Sequence, residues 1–96
     1  MSVYMIARII VTDEARYAEY ARLAGPSVER YGGHYLVRGG ETRTIEGPHR
    51  PRNVVSVWPS MERALQWYHS PEYEHARSHR EGAAEVELCF VEGFES

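Results

Sequence analysis

Arg38 closes the strand-like core of YGGHYLVRGGE at residues 31–41, where two Gly pairs bracket a short apolar run. Its guanidinium fork suits bidentate capture of a carboxylate or phenolate, and the flanking glycines leave room for a close approach to the backbone. Alternation along a strand places His34, Leu36 and Arg38 on one face and Tyr35 and Val37 on the other. His34 is then a candidate proton-transfer group two pleats from Arg38. The plainer reading of Arg38 is a structural ion pair with an acid across a subunit contact.

A second cluster lies in WYHSPEYEHARSHR at residues 67–80. Tyr73 and Arg80, seven residues apart, share a helical face and form another candidate pair, Arg80 for anion binding and Tyr73 for substrate contact or proton transfer. Aromatic residues make up 11% of the chain. Trp58, Trp67, Tyr17, Tyr20, Tyr31, Tyr35, Tyr68 and Tyr73 among them are candidate stacking surfaces for a flat ligand in a sheet–helix cleft, against the plainer reading of core and dimer packing. His75 and His79, at i and i+4 with Glu72 one turn earlier, are the best metal pattern present. They sit on a charged helix without the H-E-x-x-H order, so no metal is expected there. Ser70 before Pro71 and Glu72 reads as a helix cap, and with no nucleophile elbow covalent hydrolysis is not expected. All eleven basic residues are Arg, which excludes Lys Schiff-base chemistry and the phosphate-loop Lys.

The elements that must position these groups follow from periodicity. Residues 3–11, VYMIARIIV, alternate with Val3, Met5, Ala7, Ile9 and Val11 on a fully apolar face. The opposite face, Tyr4, Ile6, Arg8 and Ile10, is too apolar for water alone and calls for a cover such as a second subunit. Thr12 and Asp13 start a helix running to Tyr31, with Gly25-Pro26 expected to kink or restart it and leave Ser27 outside the regular ladder. Strand two is expected from the Gly32-Gly33 break to about Ile45, and strand three over residues 53–58. A helix capped by Ser60 follows, then another capped by Ser70, then a strand over VELCFVEG with Val86, Leu88 and Phe90 on one side. The order β-α-β-β-α-β predicts an α+β, ferredoxin-like fold: a four-stranded antiparallel sheet, order 4-1-3-2, with the helices on one face. Arg8 and Glu87 are expected as a charge pair on the bare face.

Ninety-six residues with 43% apolar content fit one domain over 1–96, and a domain so small gains from pairing. Net charge is −3 and the arginines are dispersed, which is no footprint for nucleic acid or anionic membrane. No apolar run approaches a membrane span, the N-terminus has no signal-peptide pattern, and the lone Cys89 forms no internal disulfide. A cytoplasmic setting is expected.

The two long motifs and the terminal FVEG at 90–93 resemble a bacterial family classed as domain of unknown function thirteen-thirty. The resemblance spans nearly the whole chain. It implies a homodimeric α/β barrel in which two ferredoxin-like subunits pack their open sheet faces together. Relatives in the wider superfamily include cofactor-free monooxygenases of polycyclic aromatics, small isomerases and haem-dependent enzymes, with pockets between sheet and helices. The recurring family positions correspond to Tyr31, Gly32, Gly33, Arg38, Gly39 and Gly40, and to Trp67, Tyr68, Ser70, Tyr73 and Arg80. His34 stands where the family often carries Arg or another polar residue, so a catalytic role for it is not a family trait. The functional expectation is a small-molecule site for an aromatic or carboxylated metabolite, with no cofactor. The alternative is a non-catalytic dimeric structural or regulatory module. Haem ligation through His34, His69 or His75 is the weakest reading.

Overall fold

Nine residues of alternating burial make the central strand. In the computed structural model, which describes residues 2–94, β1 spans Val3–Val11, with Val3, Met5, Ala7 and Ile9 buried and the intervening residues partly exposed. Helix α1 (Glu14–Arg30) follows, then β2 (His34–Arg38), β3 (Arg52–Trp58), α2 (Met61–Tyr68), α3 (Pro71–Arg80) and β4 (Ala84–Glu92). The sheet runs β2-β3-β1-β4 and every pairing is antiparallel, as a ferredoxin-like fold requires.

The helix starts are those expected from side-chain chemistry. Asp13, Ser60 and Ser70 each accept a backbone N–H three residues on, from Arg16, Arg63 and Tyr73 respectively, and Pro71 occupies the first turn of α3. The core lies between the helices and one sheet face, where Trp58, Trp67, Tyr73 and Ile9 are fully buried. Their burial, at roughly 1.5–3 kcal/mol for a large apolar side chain, outweighs any single surface contact.

Four expectations need correction. Helix α1 runs through the exposed Pro26 without the restart offered as one alternative, and Ser27 lies within it, buried, its hydroxyl donating to the Ala24 carbonyl at 2.7 Å. Strand β2 ends at Arg38 rather than near Ile45. Gly39 makes the last sheet-like contact, its N–H donating to the Asn53 carbonyl at 2.9 Å, and its φ of +77° then turns the chain away. Arg8 and Glu87 are register partners but do not serve each other as expected: Arg8 donates to the Pro48 carbonyl at 3.3 Å, while Glu87 pairs with Arg50 at 3.2 Å. The loop between β2 and β3 folds back over that end of the sheet and supplies both competitors.

Strand β2 also departs from simple alternation. Tyr35 pairs with Ser56 and Val37 with Val55, so Leu36 is an extra residue with no partner of its own. This bulge resets the alternation. Arg38, opposite Val54, therefore joins Tyr35 on the helix side, whereas His34, opposite Val57, stays on the open side.

Candidate functional site

A cleft opens between α1 and the helix side of β1, β2 and β3. Its floor is apolar, built from Met5, Ala7, Ile9, Val54 and Leu88, and its walls carry Tyr17, Tyr20, Tyr35, Trp67, Arg38 and Arg52. Water-sized room within it is about 30 Å³, and the wider space free of atoms, about 450 Å³, includes open solvent.

Arg38 crosses the mouth. Its guanidinium carbon sits 4.5 Å from the Tyr35 ring centroid and Nη2 donates to the Ala21 carbonyl at 2.8 Å. Gly25 makes this possible, since a Cβ at that position would lie 3.2 Å from Nη2. Arg52 enters from the first residue of β3, with its guanidinium 5.0 Å from the Tyr17 ring centroid and its Nε buried without a hydrogen-bond partner among the described residues. No carboxylate lines the cleft, and among the described residues neither arginine makes an ion pair.

Tyr17, Tyr35 and Tyr73 are held neutral. Burial pushes the Tyr35 hydroxyl up to about 12, against the opposing pull of Arg38. Burial also raises Tyr17 and, far more strongly, Tyr73. The Tyr73 hydroxyl lies 2.8 Å from that of Tyr20 and accepts from Arg80 Nη1 at 3.1 Å; the same nitrogen reaches the Tyr20 hydroxyl at 3.5 Å. Tyr20 thus connects the cleft wall to the α1–α3 interface.

Among the residues singled out from the sequence, Arg38 lines the cleft. Tyr73 and Arg80 reach it through Tyr20. Trp58 is buried in the core with its indole N–H donating to Ser56 at 2.9 Å, and Tyr68 packs edge-on to Trp67 beneath the Arg77 guanidinium, 4.4 Å from its ring centroid. His34 lies on the other side of the sheet. His75 and His79 bring their rings to 5.3 Å on α3, and among the described residues no group of three His, Cys, Asp or Glu side chains is arranged to hold a metal ion. None of His34, His69 and His75, the candidate haem ligands, lines the cleft. Tyr17, Tyr20, Tyr35 and Trp67, offered from the sequence among the stacking aromatics, do line the cleft, and Arg52 is the cleft residue that sequence reasoning missed as a site. The signal was present, since Tyr17 and Tyr20 fall on the buried stripe of α1 and Arg52 begins β3, but only the sheet register aims them at one space.

The family model described as Domain of unknown function (DUF1330) matches residues 2–94. The chain belongs to the DUF1330 family. Among solved structures it is similar to RPA0582, a protein of unknown function from Rhodopseudomonas palustris, at 24% identity and a TM-score of 0.81, over 99% of this chain and 84% of that one. It is also similar to a dimeric ferredoxin-like protein of unknown function from Jannaschia sp. CCS1, at 10% identity and a TM-score of 0.75, over 97% and 100% of the two chains. SnoaB, a cofactor-independent oxygenase from Streptomyces nogalater, aligns at 13% identity and a TM-score of 0.69, over 99% and 95%. At these identities the structural likenesses establish the ferredoxin-like fold. No curated protein matches the chain. Among the described residues no helix is long and apolar enough to cross a membrane.

Proposed function

We propose that this DUF1330 protein binds a small aromatic or carboxylated metabolite in the sheet–helix cleft of each subunit of a homodimer, and that any chemistry there proceeds without a cofactor. One observation carries the reading: an aromatic-walled, apolar-floored cleft meets two arginines and no acid. Rings stack against Tyr and Trp walls, while guanidinium groups supply orientation and charge. The cofactor-independent oxygenase among its structural neighbours shows that this fold accommodates such chemistry in that protein.

The dimer completes the fold. The sheet face away from the helices presents Ile6, Val55, Val57, Val37 and Val91, with the last two more than 40% exposed. Packing two such faces removes this surface from water, in line with the dimeric Jannaschia neighbour. A cytosolic setting suits the exposed free thiol of Cys89 on that face.

A thermal-shift screen of aromatic acids tests the binding reading. A ligand that raises the melting temperature of the wild type, and does so much less for Arg38→Ala, supports it; no ligand effect, together with an unchanged profile in Arg38→Ala, returns the protein to a non-catalytic dimeric module. Light scattering tests the assembly, and a monomer at micromolar concentration overturns it.

A further inference from the structure

Hydrogen-bond accounting in the cleft narrows the ligand class. Arg80 Nη1 can only donate, so the Tyr73 oxygen is an acceptor at 3.1 Å. Tyr73 is completely buried, and the only group among the described residues that can receive its own O–H is the Tyr20 oxygen at 2.8 Å. The reverse direction would orphan a buried hydroxyl hydrogen, at a cost of about 1–3 kcal/mol. The chain therefore runs Arg80 to Tyr73 to Tyr20. Tyr20 accepts from Tyr73 and, more weakly, from Arg80 at 3.5 Å, and its own hydrogen has no acceptor among the described residues. Tyr20 lines the cleft.

The charged groups at this space are both cations, and Tyr20 adds an O–H without an acceptor among the described residues. Arg52 contributes a buried Nε without a partner, and Arg38 is bound only to a carbonyl and a ring face. Arg38, Arg52 and Arg80 all lack a carboxylate partner among the described residues, although five other arginines of the chain have one. In a partly dehydrated cleft such charge and unmet donors favour a ligand that brings acceptors and negative charge.

We infer that the ligand presents an oxyanion, a carboxylate or aryloxide on a planar ring, and that Tyr20 is the binding residue whose O–H meets it, backed by Tyr73 and Arg80, with the half-buried Arg52 as the cationic anchor. The inference rests on the cleft being the ligand site and adds the charge state of the ligand and the residue that reads it. A hydroxyl already accepting from a guanidinium-backed chain is a stronger donor than an isolated one.

The test compares 2-naphthoate with its neutral relative 2-naphthamide, followed by quenching of Trp67, which lines the cleft. Wild type binds the carboxylate more tightly than the amide. Tyr20→Phe keeps the ring and removes the donor, so carboxylate binding falls by about tenfold or more, the loss of a hydrogen bond to a charged group, while amide binding through its neutral carbonyl falls only a few-fold and the preference narrows. Arg52→Gln reduces it independently, and serves if Tyr20→Phe does not fold. Equal binding of carboxylate and amide by the wild type overturns the oxyanion inference and leaves the cleft reading standing. A carboxylate preference untouched in Tyr20→Phe overturns the role of Tyr20. Binding of neither probe overturns the cleft reading itself.

Discussion

The Arg38 guanidinium lies over the Tyr35 ring at 4.5 Å although the two residues are three apart on one strand and, without interruption, would point to opposite faces of the sheet. Leu36 is the interruption. Exposed and unpaired in the ladder, it absorbs one residue of β2 so that Arg38 turns toward the helices.

Deleting Leu36 therefore leaves Tyr35, Val37 and Arg38 opposite Ser56, Val55 and Val54 in an uninterrupted ladder. We expect the deletion variant to fold, with a circular dichroism spectrum like the wild type and a ligand-induced thermal shift that still depends on Arg38. A variant that folds but loses that dependence would show that the bulge does more than set the side of the sheet.

Two glycines should respond in opposite ways. Gly25 lies within α1, and a Cβ there meets only the flexible end of Arg38, so Gly25→Ala gains helix propensity of up to about 1 kcal/mol while disturbing the Arg38 position and weakening ligand binding. Gly33 is buried, and a Cβ there would fall 2.7 Å from the Trp58 ring. Gly33→Ala should cost on the order of 1–3 kcal/mol or more, because Trp58 is enclosed in the core and cannot yield. Urea midpoints of the two variants, read against wild type, check both signs.

Ser27 and Trp67 form a buried polar pair, the indole N–H donating to Ser27 Oγ at 3.0 Å. Ser27→Ala leaves that N–H without its acceptor and should destabilise by about 1–3 kcal/mol. In a double-mutant cycle with Trp67→Phe, the combined loss should fall short of the sum of the single losses; strict additivity would show that the two residues act independently.

Alkaline pH should unfold the protein through its tyrosines. The Tyr35 hydroxyl is raised from its ordinary 10.0 to about 12, and Tyr17 and Tyr73 move the same way. A folded-state value above the unfolded one means that the stabilisation is fully present below about pH 10 and is lost as pH rises toward 12. Denaturant midpoints measured across that window should fall with pH, and less steeply in Tyr35→Phe. A midpoint independent of pH there would contradict the burial assigned to these hydroxyls.

Much of this molecule was legible from residue order. Caps at Asp13, Ser60 and Ser70, the alternation of β1 and the Gly32-Gly33 stop act within a few residues, so local chemistry specifies them and with them the β-α-β-β-α-β order. The Tyr73–Arg80 pair was visible for the same reason, since a helix brings i and i+7 to one side. The site as a whole was not. Whether Gly25-Pro26 breaks a helix depends on what surrounds it, and α1 runs on here packed against α3 with Ala24, Ser27 and Val28 buried. Which face Arg38 takes depends on a bulge measured against β3, a strand separated from β2 by the whole loop. Arg52, Tyr20 and Tyr73 share no local pattern and meet only because the sheet register and the α1–α3 contact bring them within reach of one space. Short-range sterics and hydrogen bonds are written in the sequence one turn at a time. The cleft is a sum of long-range placements, and tertiary packing alone decides it.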